Sequence, residues 1–119
     1  MKVMKFSKNM TTNNVILYSK LKEDSLRDHV LVADNNIGEN DSIEQILTAI
    51  NAIKSSGIEY VIAPGFADGF HKNAVAIGLR LIKSNDSETL EKGDNIEIYL
   101  KEGLILNIDT EQECKFELM

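Results

Sequence analysis

The chain has no tryptophan, one proline, one cysteine and two histidines. Each scarcity excludes something. A single thiol, Cys114, cannot form an intramolecular disulfide, and one cysteine cannot supply an all-cysteine zinc or iron–sulfur site within the chain. His29 and His71 are too few and too far apart in sequence to read as a zinc motif. Four Phe and three Tyr are the only aromatics, so the core is expected to be aliphatic, built from Ile, Leu and Val. Cations are also short: 13 Lys and Arg against 19 Asp and Glu give a net charge of −6. That balance lacks the basic footprint a sequence-independent nucleic-acid binder needs, so no nucleic-acid partner is expected. No apolar run approaches membrane-spanning length, and the first residues carry no signal-peptide pattern. The expectation is a cytoplasmic protein with no membrane contact.

What is present fits one α/β domain spanning residues 1–119, with 43% apolar and 27% charged residues. The charge is uneven. Residues 1–40 sum to +1, whereas residues 41–119 sum to −7. A solvated acidic surface accounts for this without a ligand.

Short β-like runs alternate with helical patterns. Val15–Tyr18 and Val30–Ala33 read as strands. Over Asp41–Ser56 the period changes, and Ile43, Ile46, Leu47, Ile50 and Ile53 predict one buried helical stripe. Asp41 with Glu44, or Ser42 with Gln45, offers a capping box at its start, and Gly57 offers the left-handed stop. Tyr60–Ala63 reads as a buried strand halted by Pro64-Gly65. Phe66–Ile77 has near-helical spacing and ends at Gly78, and Leu79–Ile82 is a further strand. Ser84–Lys92 reads as a loop with a helical turn. Three alternating sets follow: Ile96, Ile98 and Leu100; then Leu104, Leu106 and Ile108; then Cys114, Phe116 and Leu118. With turns at Lys101-Glu102-Gly103 and Asp109–Gln112 they predict a closing three-strand meander, with Cys114 a buried strand thiol.

The segment Gly57 to Leu79, GIEYVIAPGFADGFHKNAVAIGL, resembles the signature "GI-x-x-VIA-x-x-FA-x-x-F-x-x-NA-x-x-x-GL" of the small, swivel subunit of 3-isopropylmalate dehydratase, in the aconitase superfamily. Three more blocks resemble the family in the same order. Lys5–Asn13 is similar to "KFGDNIDTD", Val30–Gly38 to "IIVAGENFG", and Asn95–Leu118 to the closing strands around "IEI-x-L-x-x-G-x-I-x-N". The resemblance covers nearly the whole chain. It implies a swivelling β/β/α domain that docks over a separate large subunit carrying a [4Fe–4S] cluster, with no cofactor in this chain. The pair would interconvert 2- and 3-isopropylmalate in leucine biosynthesis. Substrate contacts would come from the loop Asn36–Ser42, with Asn36, Gly38 and Ser42 as the matching positions. No catalytic residue and no metal ligand carries over to this chain.

The chain departs from the family inside that loop. The family reads "NFGCGSSREH", whose Arg, at a helix N-terminus, clamps a substrate carboxylate. Here residues 36–45 read NIGENDSIEQ. The Arg position falls on Ile43 when aligned from Gly38, and on Ile46 when aligned back from Gly57. Glu39, Asp41 and Glu44 add three carboxylates. Losing one charged partner of a desolvated pair costs about 2–5 kcal/mol, so binding of a malate-like dianion in the family's manner is expected to weaken more than tenfold. Helix capping and dipole complementarity account for the acids without a ligand. The "DNIDTD" acids become Lys8, Thr11 and Asn13, and only Lys22–His29 stands where the family carries a long segment, so the chain reads as shortened. Asp68 stands where the family often has Arg, and His71-Lys72 reads as structural or surface.

Two functions are therefore in view. One is a small subunit of an isopropylmalate dehydratase-type hydro-lyase acting with a large iron–sulfur partner. The other is a catalytically incompetent swivel-domain paralogue serving as a binding or assembly module, with a homo-oligomer left open. Association with a large subunit discriminates them.

Overall fold

The computed structural model of the chain describes residues 1–6, 28–34, 36–39 and 41–118. The strand expected at Val15–Tyr18 lies outside them. Strands β1 (Lys2–Phe6), β2 (His29–Ala33), β3 (Tyr60–Ala63) and β4 (Arg80–Lys83) run parallel and adjacent in that order. Helices α1 (Ile43–Ser56) and α2 (Asp68–Ala76) make the β2–β3 and β3–β4 crossovers. After a 3₁₀ turn at Ser87–Thr89, strands β5 (Ile96–Tyr99), β6 (Leu104–Asn107) and β7 (Glu113–Lys115) form the expected antiparallel meander. A two-residue strand, β8 (Glu117–Leu118), returns to the large sheet and pairs antiparallel with β4.

Alternation along the central strands divides the core into two layers of contact. Leu31, Ala33, Val61, Ala63 and Leu81 face α1 and α2, where Ile46, Ala49, Ile50, Ile53, Phe70 and Ala74 meet them. Val3, Val30, Val32, Ile62 and Ile82 face the other way, onto Leu90, Ile96, Ile105 and Cys114. A parallel sheet covered on both faces needs strands that are apolar throughout, and β2 and β3, HVLVA and YVIA, meet that need. The result is small sheet, large sheet, helices: the β/β/α arrangement.

Both ends of α1 follow local chemistry. The Ser42 hydroxyl accepts from the Gln45 backbone N–H at 3.2 Å, and the Gln45 side chain accepts from the Ser42 N–H at 2.9 Å. Gly57, at φ +97°, closes the helix in the left-handed region. Its buried face differs from the expected stripe. Ile46, Ala49, Ile50, Ala52 and Ile53 are buried, whereas Ile43 is 53% and Leu47 40% exposed. The buried arc runs from Ala52 through Ser56, Ala49 and Ile53 to Ile46 and Ile50, so Ile43 and Leu47 fall past its edge.

Other elements shift for tertiary reasons. The helix expected from Phe66 begins at Asp68, because Phe66 is held extended in a parallel bridge with Ile37. Strand β4 starts and ends one residue later than the apolar run Leu79–Ile82, following its pairing with β3. On β6 the inward residues are Ile105 and Asn107, not Leu104 and Leu106, and Ile108 lies exposed beyond the strand. The third alternating set is split between sheets: Cys114 is buried in β7, the Phe116 N–H bonds the Gly103 carbonyl, and the chain then crosses to β8.

Candidate functional site

In an open α/β sheet, ligands bind outside the carboxyl ends of the parallel strands, where the loops into the helices converge. Two such loops are described here, and they are tied together. The Ile37 N–H donates to the Gly65 carbonyl at 3.0 Å, and the Ala67 N–H donates to the Ile37 carbonyl at 2.8 Å. The β2–α1 and β3–α2 loops are thereby one surface.

All three residues singled out from sequence lie in the first loop, each with a structural task. Asn36 is half-buried and donates through Nδ2 to Glu39 Oε1 at 2.9 Å. Gly38 is buried at φ +89°, and a Cβ there would stand 2.9 Å from the Phe70 Cβ. Only glycine lets the loop cross α2 at that distance. Ser42 is exposed, and its oxygen is engaged in the capping box while its hydroxyl proton remains available to donate. The structure brings the three into one connection, with the Asn36 side chain engaged by Glu39 and that of Ser42 by Gln45.

The second loop is less legible in the sequence. Gly65 abuts Asn36, and Phe66 stacks on Phe70 at 5.9 Å between ring centroids. Pro64-Gly65 is its only signal, and a short Pro-Gly turn says nothing about which loop it will touch. His71 is half-buried on α2, and Lys72 and Asp68 are exposed on the same helix, as a structural or surface role requires.

The electrostatics are acidic. Glu39 and Glu44 are exposed, Asp41 is half-buried, and partial burial pushes the Asp41 carboxyl above its ordinary 3.8. Of the two positions offered for the family's Arg, Ile46 points into the core and Ile43 to solvent.

Comparison with known proteins gives one consistent answer. The chain is 34% identical to the 3-isopropylmalate dehydratase small subunit of Aquifex aeolicus over 134 residues, covering 94% of this chain and 78% of the relative. The chain belongs to the 3-isopropylmalate dehydratase small-subunit family. It is also 28% identical to small subunit 1 of Thermotoga maritima over 136 residues, covering 97% of this chain and 80% of that one. The small subunit of Endomicrobium trichonymphae is 44% identical over 80 residues, which are 66% of this chain but only 47% of the relative. A crystal structure of the 3-isopropylmalate dehydratase LeuD of Methanocaldococcus jannaschii superposes with a TM-score of 0.84 at 27% identity, covering 99% of this chain and 80% of that one. No family model matches the chain.

A small-subunit family implies a large-subunit partner. The chain's one thiol, Cys114, is 4% exposed on β7, with Thr89 Oγ1 at 3.6 Å. Among the described residues no helix is long and apolar enough to cross a membrane.

Proposed function

We propose that this chain is the swivelling small subunit of a 3-isopropylmalate dehydratase-type hydro-lyase, acting in the cytoplasm as a single body of residues 1–119. Its partner is a separate large subunit that carries the [4Fe–4S] cluster. One observation carries the reading: the likeness to small subunits extends over almost the whole chain in sequence and fold alike. A binding or assembly module would account for the fold but has no comparable support among the relatives.

Within this reading the Lewis acid for departure and return of the substrate hydroxyl is supplied by the large subunit. The chain contributes the tied loop pair at the carboxyl ends of β2 and β3. Ser42 can donate its hydroxyl proton to a substrate oxygen while its oxygen caps α1. The first N–H groups of α1 lie beside it, where the helix dipole favours an anion. Gly38 presents backbone without a side chain, and Asn36 a carboxamide. With Ile43 in place of a guanidinium and three carboxylates nearby, positive charge for the substrate dianion has to come from outside these loops. In this reading the large subunit supplies it.

The test mixes this chain with the 3-isopropylmalate dehydratase large subunit of its own source organism and follows 2-isopropylmaleate by its ultraviolet absorbance. Turnover by the mixture, and by neither protein alone, is the expected result. Absence of both complex and turnover would overturn the subunit reading and leave the assembly module.

A further inference from the structure

The buried arc of α1 leaves two large aliphatic side chains in solvent one helical turn apart. Ile43 and Leu47 are related i, i+4 and therefore share a stripe, at 53% and 40% exposure. Single exposed apolar residues are ordinary on a protein surface. A pair stacked on one face, directly beyond the Ser42 cap and continuous with the candidate site, is a different case. Acids border it: Glu39 in the loop, Asp41 before the cap, and Glu44 in the first turn. The only basic residue of α1 is Lys54, in its last turn.

Charge decides between occupants. A second copy docking through this face would form an isologous contact, setting the same acidic border against itself. Like charges juxtaposed across an interface cost several kcal/mol. A different protein presenting an aliphatic recess rimmed by Lys and Arg meets both the stripe and its border. We propose that Ile43 and Leu47 are the apolar anchors by which this chain docks on its large subunit, with Glu39, Asp41 and Glu44 facing a basic rim on that partner. This rests on the small-subunit reading and names the surface it uses. It also places cations beside the loop that lacks its own.

The experiment measures binding of the large subunit from the same organism by titration calorimetry, and association rate against salt by surface plasmon resonance. The proteins are wild type, Ile43→Ser, Leu47→Ser, Glu44→Lys and Ile108→Ser. Ile108 is the control: it is exposed, and its N–H bonds Asn95, which bridges to Lys2 at the amino end of β1, the opposite end of the sheet from the site. Each serine variant on α1 should weaken binding at least tenfold with its urea midpoint unchanged. Glu44→Lys should slow association and flatten its salt dependence, and Ile108→Ser should bind within twofold of wild type.

Wild-type binding that all variants retain would overturn the docking surface while leaving the subunit reading intact. No binding by wild type would overturn both. A lowered urea midpoint in either serine variant would mean that the stripe is covered within the chain. A homodimer abolished by Ile43→Ser would mean that a second copy covers it. Either result rejects the proposal.

Discussion

The side-chain oxygen of Asn36 fills the space that a methyl group on Gly65 would need: a Cβ built there would stand 2.9 Å from Asn36 Oδ1. The two residues sit in different crossovers, 29 positions apart in sequence, and meet because Ile37 bonds the Gly65 carbonyl. Side-chain packing and the backbone bridge thus fix the same pair of loops. Whatever binds at the carboxyl edge of β2 and β3 meets a preassembled surface, which spares binding the cost of ordering two independent loops.

The two close-packed glycines of this surface should respond differently to alanine. At Gly65 the obstacle is the end of a side chain that can turn away, so Gly65→Ala should cost about 1 kcal/mol or less. Asn36→Ala in the same chain should remove that penalty. At Gly38 the obstacle is the Phe70 Cβ at 2.9 Å, and φ is +89°. Left-handed strain of about 1–2 kcal/mol and overpacking of about 1–3 kcal/mol then combine, so Gly38→Ala should lose about 2–5 kcal/mol. Urea denaturation of the three single and double variants measures both.

Ser42 has two separable roles, and substitution can divide them. Ser42→Ala removes the cap and should lower stability by about 1 kcal/mol. Ser42→Asp keeps a capping oxygen and should recover that stability. If the hydroxyl also donates to substrate, Ser42→Asp should nevertheless raise KM in the reconstituted enzyme, since it replaces a donor with a fourth carboxylate. Stability that recovers together with KM would assign Ser42 to capping alone.

How far the sequence foretells this site depends on where each signal originates. Ser42, Gln45 and Gly57 act through neighbours within a few residues, so the ends of α1 are legible. The strand Tyr60–Ala63 is equally so, bounded by a glycine-closed helix and Pro64. The side of α1 that faces the core is less legible, because Ala49 and Ala52 carry little hydrophobic weight yet extend the buried face away from Ile43 and Leu47. On β6 the run LILN gives both faces apolar residues, so alternation cannot choose between them, and the buried Asn107 looks polar and exposed. Strands β1 and β8 escape notice because each is defined by a partner distant in sequence: β1 by β2, and β8 by β4. Contact between Asn36 and Gly65 has the same origin.

Asp41 should make stability depend on pH in the direction opposite to a salt-bridged acid. Partial burial raises its folded pKa above the ordinary 3.8, so the folded state holds its proton more tightly than the unfolded chain. Its contribution is fully present below that ordinary value and is lost as pH rises through the folded pKa. Asp41→Asn removes the dependence. Relative to wild type it should gain stability as pH rises from 3 to 7, modestly, because the carboxyl is only partly desolvated. Urea midpoints for both proteins across that range check the sign; a gain that grows toward low pH would contradict it.

Asn107 should be the costliest polar residue to replace on the small sheet. Its side chain is 1% exposed, donates to Asp94 Oδ2 at 2.9 Å, and accepts from the N–H groups of Asp109 and Thr110 at 3.1 and 3.3 Å. Asp94 also accepts from the Glu91 N–H, so the amide joins the β6–β7 turn to the segment that pairs with β1. Asn107→Leu preserves volume but leaves buried partners unsatisfied, a loss of about 2–4 kcal/mol. Asn107→Asp keeps the acceptor yet sets a carboxylate against Asp94, where the two can be accommodated only by sharing a proton. Its destabilisation should therefore be large at pH 7 and shrink toward pH 4, whereas that of Asn107→Leu should vary little between the two. Thermal denaturation of both variants at the two pH values distinguishes a donor required by Asp94 from an amide that merely fills space.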